Sequence, residues 1–125
     1  MKNKRTALIV DDEEIIVEIE EFMFQKIGFD TLTAKNSAQA CQLYQDENEN
    51  IDLVVLDMIM PDDNGANTYK LLKKINPNIK VIVSSGMGKD SAVREILNDW
   101  PNGFLSKPFK FDEFAKSVDT ILSRN

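Results

Sequence analysis

Short apolar runs alternate with amphipathic stretches along the whole chain, and this alternation restricts the possible folds more than any other feature. Five runs are predicted to be strands, at residues 6–10, 29–34, 52–56, 79–84 and 103–106. The runs at 6–10 and 52–56 are apolar on both faces. This is typical of strands that are covered on both sides of a parallel sheet.

The stretches between and after these runs predict five helices. They lie at residues 13–27, from a cap at 36 or 37 to about 47, 66–75, 90–100 and 112–122. Gly28 is expected to end the first helix. Residues 61–65 are predicted to form a loop, and Phe24 and Met87 are predicted to be isolated apolar residues at the surface.

Strands that alternate with helices imply parallel βαβ units, with helices on both faces of one sheet. The chain has 125 residues, of which 42% are hydrophobic, and this is the size of one domain with one core. The predicted fold is therefore a single doubly wound α/β domain over residues 1–125.

Charge and composition exclude several classes of function. The chain has 15 basic and 21 acidic residues, and its net charge of −6 argues against a nucleic acid as a direct partner. It has no histidine and one cysteine, Cys41, so a usual zinc site and an intrachain disulfide are excluded, and Cys41 is predicted to pack in the core. No apolar run is long enough for a signal sequence or a membrane span. We therefore expect a soluble, cytoplasmic protein with no membrane partner.

Polar residues follow four of the predicted strands at the point where each strand ends. Asp11 and Asp12 follow the first strand, Asp57 the third, Ser85 the fourth and Lys107 the fifth. Ligands of open α/β sheets bind at the carboxyl ends of the strands, so these side chains are expected to converge on one edge. Taken singly, each has a simpler role, since acidic residues cap helices, serines occupy turns and lysines lie at surfaces.

Carboxylates from two strand ends repel one another unless a cation lies among them. Oxygen ligands of this kind favour Mg²⁺, which binds a few carboxylates and keeps several waters. A carboxylate beside such a cation can attack a phosphoryl group. Asp57 directly follows an apolar strand, and it is the candidate nucleophile.

Four motifs follow one another in a fixed order at the predicted strand ends. They are Val10-Asp11-Asp12, Asp57-Met58-Ile59-Met60-Pro61 with Gly65 behind it, Val83-Ser84-Ser85-Gly86, and Lys107-Pro108-Phe109. At these separations the set resembles the response-regulator receiver domains of two-component signalling, which include chemotaxis regulators. The resemblance covers essentially the whole chain, and it implies a flavodoxin-like (βα)5 fold with strand order 2-1-3-4-5.

The resemblance also implies a role for each acidic residue. Asp57 is the phospho-acceptor, and Asp12 and Asp57 bind Mg²⁺ through their carboxylates. Asp11 contributes largely through water. The backbone carbonyl of Ile59 is the remaining protein ligand, so any side chain suffices at that position.

The resemblance further implies a switch. Lys107 contacts the phosphoryl group, Ser85 is the switch hydroxyl, and Phe104 is the aromatic residue that moves inward when this hydroxyl engages the phosphate. The donor is a histidine kinase or a histidine phosphotransfer protein. The surface formed by the fourth helix, the fifth strand and the fifth helix then regulates a downstream protein or an attached domain. The peptide bond between Lys107 and Pro108 is expected to be cis.

Three departures from the family pattern affect these expectations. Ile59 and Met87 are apolar at positions that control how water reaches the acyl phosphate, so we expect slow autodephosphorylation. Phe104 lacks the hydroxyl of the commoner tyrosine. The pair Ser85-Gly86 resembles receivers that are attached to hybrid kinases.

Two other classes of protein have a similar fold or a similar set of site residues. A Mg²⁺-dependent phosphatase with an aspartate nucleophile also combines an Asp, a Ser or Thr and a Lys. Such enzymes carry a second Asp two residues after the nucleophile, and here that residue is Ile59. A flavodoxin-type flavin carrier needs a hydroxyl- and glycine-rich loop after the first strand, where this chain has acidic residues that repel phosphate.

Overall fold

The computed structural model describes residues 4–57, 59–60, 63–85, 103–106 and 109–123. In chain order its elements are β1 (Arg5–Val10), α1 (Glu14–Lys26), β2 (Phe29–Ala34), α2 (Ser37–Glu47), β3 (Leu53–Asp57), β4 (Ile59–Met60), β5 (Asp63–Asn64), α3 (Gly65–Ile75), β6 (Val81–Ser85), β7 (Gly103–Ser106) and α4 (Phe111–Ser123). The predicted strands and helices within these ranges are confirmed, with ends that shift by a residue or two. The predicted helix at 90–100 and Met87 lie outside the described residues.

Local sequence signals fix the helix ends next to β2. Gly28 has a φ of 87°, a left-handed conformation that costs glycine little, and it ends α1 as predicted. The side chain of Asn36 accepts a hydrogen bond from the backbone N–H of Gln39 at 2.9 Å and caps α2. β2 is therefore held between two well-defined turns.

The five longer strands form one parallel sheet in the order β2-β1-β3-β6-β7. Counted along the chain among these five, the order is 2-1-3-4-5, so the predicted flavodoxin-like topology is confirmed. The two short strands β4 and β5 pair antiparallel. The prediction of a loop at 61–65 is therefore wrong for Asp63 and Asn64, because two residues are too few to show the alternation by which a strand is recognised.

Each face of the sheet carries its own core cluster. The first cluster joins alternate strand residues to side chains of α2 and α3: Leu8, Val10, Ala34, Ala40, Tyr44, Ile51, Val54, Leu56, Tyr69, Leu72, Ile79, Val81 and Val83. The second joins the intervening strand residues to α1 and α4: Ala7, Ile9, Phe24, Phe29, Leu53, Val55, Ile82, Leu105, Phe114, Val118 and Ile121. Cys41 is half-buried against the first cluster, which confirms its predicted packing role.

Helix α1 turns a different face to the core from the one that its isoleucines suggest. Phe24 is fully buried, and its ring lies 5.1 Å from that of Phe29 and 4.7 Å from that of Phe114. The predicted surface position of Phe24 is therefore wrong. Ile15 and Phe22 are instead 72% and 61% exposed. The helix carries apolar residues on two faces, so periodicity alone does not identify the buried one.

Strand β7 and helix α4 approach each other closely at Gly103. A methyl group placed on this glycine would lie 2.5 Å from Cδ1 of Ile121, which is 3% exposed. Any side chain at residue 103 would therefore push the helix away from the strand or force Ile121 to move.

Removing the ring of Phe24 is expected to destabilise the fold far more than removing that of Phe22, on the same helix. Phe24→Ala leaves a cavity between two aromatic rings and should lower the free energy of unfolding by about 3–5 kcal/mol. Phe22 is exposed, with the ammonium group of Lys26 lying 5.4 Å from the centre of its ring, so Phe22→Ala should cost roughly 1 kcal/mol or less. Urea denaturation of both variants measures the difference, and equal losses would contradict the packing of α1.

Candidate functional site

The carboxyl ends of the central strands bring two acidic residues together at one edge of the sheet. Val10 pairs with Leu56, so Asp11 and Asp57 come next on the neighbouring strands β1 and β3. The backbone N–H of Asp11 donates to the carbonyl of Ala34 at 3.0 Å, which extends the pairing with β2 past the end of β1. Both carboxyl groups belong to residues that are at most 3% exposed.

Three carboxylates meet at this edge. Asp11, Asp12 and Asp57 each offer an oxygen, and these three oxygens lie within 4.8 Å of one another. The Oδ1 atom of Asp11 also accepts a hydrogen bond from the backbone N–H of Glu13 at 3.0 Å, which fixes the turn from β1 into α1. Hard oxygen donors at this separation fit a small divalent cation such as Mg²⁺.

An open cavity of about 260 Å³ lies beside the carboxylates, between the start of α1 and the end of β2. Asp11, Asp12, Glu14 and Lys35 are among the residues that line it. Lys35 lies 3.6 Å from Glu14, and both side chains are largely exposed, so the pair adds little binding energy. Acidic groups outnumber basic ones around the opening, and this charge favours the entry of cations.

The structure describes the other predicted site residues only in part. Ser85 ends β6, one residue beyond the strand position that pairs with Asp57, and Phe104 lies in β7 and packs against the first core cluster. The backbone of Ile59 belongs to β4. Lys107 lies outside the described residues, as does the predicted cis bond that follows it.

Two buried polar residues have no role among the sequence-based predictions. Glu20 lies on α1 and is 1% exposed. Ser84 is also 1% exposed, and it pairs with Asp57 across the ladder between β3 and β6. The register of the two strands is the signal that identifies Ser84, and the sequence does not give that register directly.

Comparison with known sequences gives a consistent result. A family model described as the response regulator receiver domain matches residues 7–119. The chain is 31% identical over 117 residues to the chemotaxis protein CheY of Bacillus subtilis, covering 93% of this chain and 96% of that protein. It is 34% identical over 122 residues to sporulation initiation phosphotransferase F of the same organism, covering 98% and 96% respectively.

One long relative contains a similar segment. The chain is 29% identical over 124 residues to the sensor kinase CckA of Brucella abortus, which covers 99% of this chain and 13% of the kinase. Receiver sequences of this kind therefore occur both in short proteins and within much longer ones.

Solved structures resemble the fold over nearly its whole length. A CheX–CheY–BeF3–Mg²⁺ complex from Borrelia burgdorferi contains a chain with a TM-score of 0.89 and 28% identity, covering 96% of this chain and 90% of that one. A receiver domain protein from Clostridium thermocellum has a TM-score of 0.86 and 27% identity, with coverage of 96% and 95%.

The chain belongs to the response regulator receiver domain family of two-component systems, as its four motifs predict. Receiver domains are signalling modules and are not generally classed as enzymes. Family membership therefore favours the signalling interpretation over the phosphatase and the flavin carrier. Among the described helices, none has the length and apolar character that crossing a bilayer requires.

Neutralising one carboxylate of the cluster is expected to stabilise the protein when no divalent cation is present. Asp12 is half-buried, so Asp12→Asn relieves repulsion at little packing cost. In EDTA the free energy of unfolding should rise by on the order of 1 kcal/mol. The stabilisation that Mg²⁺ gives to the wild type should be lost.

Thermal unfolding with EDTA and with a Mg²⁺ series measures both effects. Glu49→Gln is the matched control, because it removes one exposed carboxylate from the loop after α2. The control should leave the Mg²⁺ response unchanged. A lower stability of Asp12→Asn in EDTA would refute the repulsion on which the proposed cation site depends.

Proposed function

We propose that this protein is a phosphorylation-dependent signalling switch that takes a phosphoryl group onto Asp57 with the help of Mg²⁺. The observation that carries the proposal is the Asp57 carboxylate at the end of β3, within 4.8 Å of oxygens from Asp11 and Asp12. In this setting one oxygen of Asp57 can bind a cation while the other attacks phosphorus.

The proposed reaction is a displacement at phosphorus. An oxygen of Asp57 attacks the phosphoryl group of a phosphohistidine, and an O–P bond forms as the P–N bond breaks. The bonding electron pair stays on the imidazole nitrogen, which then takes up a proton from solvent. The donor histidine belongs to another protein or to another part of a longer chain, since this sequence has no histidine.

The cation would be held by the acidic cluster. Asp12 and Asp57 would bind Mg²⁺ through their carboxylates, Asp11 largely through water, and Ile59 through its backbone carbonyl. When bound, the cation supplies positive charge that offsets the repulsion between Asp57 and the incoming phosphoryl oxygens. Asp11 also positions the first turn of α1, through its hydrogen bond to the Glu13 backbone.

The proposed output begins with the charge and acceptor oxygens that phosphorylation adds at this edge. Lys107 contacts the phosphoryl group, the Ser85 hydroxyl moves toward it, and Phe104 repacks. The surface around residues 90–100, β7 and α4 then shifts between two packings. The half-buried position of Phe104 against the first core cluster supports this proposal, because the ring is neither locked in the interior nor fully solvated.

We propose a histidine kinase or a histidine phosphotransfer protein as the donor, and a downstream protein or an attached domain as the target. The relatives include a sensor kinase and short regulators, which supports both arrangements. The net charge of −6 supports an output without direct contact to nucleic acid. The single cysteine of the chain and the family's signalling role support a cytoplasmic location. The proposed receiver domain spans residues 1–125.

Asp57→Asn is expected to abolish labelling by acetyl phosphate in the presence of Mg²⁺, because the amide is not a nucleophile toward phosphorus. Mass spectrometry of the intact protein should detect a gain of one phosphoryl group in the wild type only. Asp119→Asn, which changes an exposed aspartate on α4, is the control and should label normally. Labelling that persists in Asp57→Asn would refute the assignment of the acceptor.

The apolar residue at position 59 is expected to prolong the life of the aspartyl phosphate. Ile59→Asn introduces an amide that can position a water molecule for attack on phosphorus, so the phosphoryl group should be lost several-fold faster. The measurement is the first-order decay of labelled protein after removal of the donor. An unchanged or slower decay would contradict the proposed effect of Ile59.

A further inference from the structure

Ser84 carries a buried hydroxyl near the end of β6. The residue is 1% exposed, and its Oγ atom has no hydrogen-bond partner among the described residues. Leaving a buried polar group unsatisfied is costly, and such groups in folded proteins are few. A hydroxyl in this state is available to a partner that binds when the protein functions.

The strand register places this hydroxyl beside Asp57. Ser84 on β6 pairs directly with Asp57 on β3, and neighbouring strands lie about 4.8 Å apart. The residues two positions earlier, Ile82 and Val55, both pack in the second core cluster. Because side chains alternate along a strand, Ser84 and Asp57 leave the sheet on that same face.

The residue that pairs with Ser84 on its other side has no side-chain hydrogen-bond acceptor. Ser84 pairs on its opposite side with Leu105, whose buried side chain belongs to the second core cluster. Of the two side chains level with Ser84, only that of Asp57 can form a hydrogen bond. Rotation about the Cα–Cβ bond of a serine moves its hydroxyl between three staggered positions, so a new acceptor can be reached without backbone movement.

We propose that Ser84 is a second hydroxyl of the phosphorylation site, which donates a hydrogen bond to an oxygen of phosphorylated Asp57. This proposal rests on the proposed function, because it takes Asp57 as the acceptor. Ser84 is distinct from Ser85, the proposed switch hydroxyl, which is the next residue of β6.

Ser84 acts by stabilising the phosphorylated protein relative to the unphosphorylated one. Among the described residues the hydroxyl has no partner before phosphorylation, and it gains one in the proposed phosphorylated state, so its hydrogen bond favours that state. Removing the hydroxyl should therefore weaken the phosphorylated state without weakening the fold. A hydrogen bond of ordinary strength corresponds to a change of roughly threefold to tenfold in an equilibrium constant.

Beryllofluoride with Mg²⁺ is a suitable probe, since BeF3⁻ occupies the place of a phosphoryl group on an aspartate. The thermal unfolding temperature is measured over a beryllium series in excess fluoride, which gives the concentration at half-saturation. Ser84→Ala should raise this concentration by roughly threefold to tenfold. Its unfolding temperature without the probe should equal or exceed that of the wild type.

Three further variants make the result specific. Ser84→Thr keeps a hydroxyl and suits a strand, so it should bind the probe as the wild type does. Ser84→Cys has nearly the same size but a weaker donor, and it should resemble Ser84→Ala. Ser37→Ala removes a buried hydroxyl at the start of α2, and it should leave the half-saturation concentration unchanged.

The outcomes separate the two proposals. A wild-type protein that responds to the probe, together with a Ser84→Ala variant of equal affinity, would overturn the role of Ser84 and leave Asp57 as the acceptor. A wild type with no response, or an Asp57→Asn variant that responds fully, would overturn both. An equal loss of affinity in Ser84→Thr and Ser84→Ala would show that packing, and not the hydroxyl, is responsible.

Discussion

The mutual repulsion of three carboxylates is the constraint around which this edge of the molecule is built. Asp11, Asp12 and Asp57 would separate if their backbones were free, and the parallel ladder between β1 and β3 prevents it. The ladder is in turn fixed by two core clusters, one on each face of the sheet. Burial of apolar side chains thus supplies the free energy that holds like charges together. A cation bound among the three carboxylates would offset this repulsion.

The sequence predicts the sheet and the acidic cluster well, and for the same physical reason. Strands that are covered on both faces are apolar on both, so the middle of the sheet is visible as two unbroken apolar runs, at residues 7–10 of β1 and 53–56 of β3. Residues that follow such runs must converge on one edge in a parallel α/β sheet. The meeting of Asp11 and Asp57 therefore follows from the chain without any knowledge of side-chain geometry.

Other features depend on choices that the sequence leaves open. Helix α1 has apolar residues on two faces, and the packing of Phe24 against Phe29 of β2 and Phe114 of α4 decides which face is buried. The buried Glu20 on the same helix breaks the apolar pattern that a prediction relies on. The neighbour of Asp57 on β6 depends on register, and a shift of one residue would put Ser85 in the place of Ser84.

Gly103 lets strand β7, at the edge of the sheet, lie directly against helix α4. With no side chain between β7 and Ile121, the strand backbone lies almost against the side chain of the helix. A close-packed contact transmits displacement because it has no compressible space to absorb it. A displacement of β7 toward the helix at this point would press first on Ile121 of α4. The absence of a side chain at residue 103 thus allows a direct contact between strand and helix, and a larger residue there would hold β7 and α4 further apart.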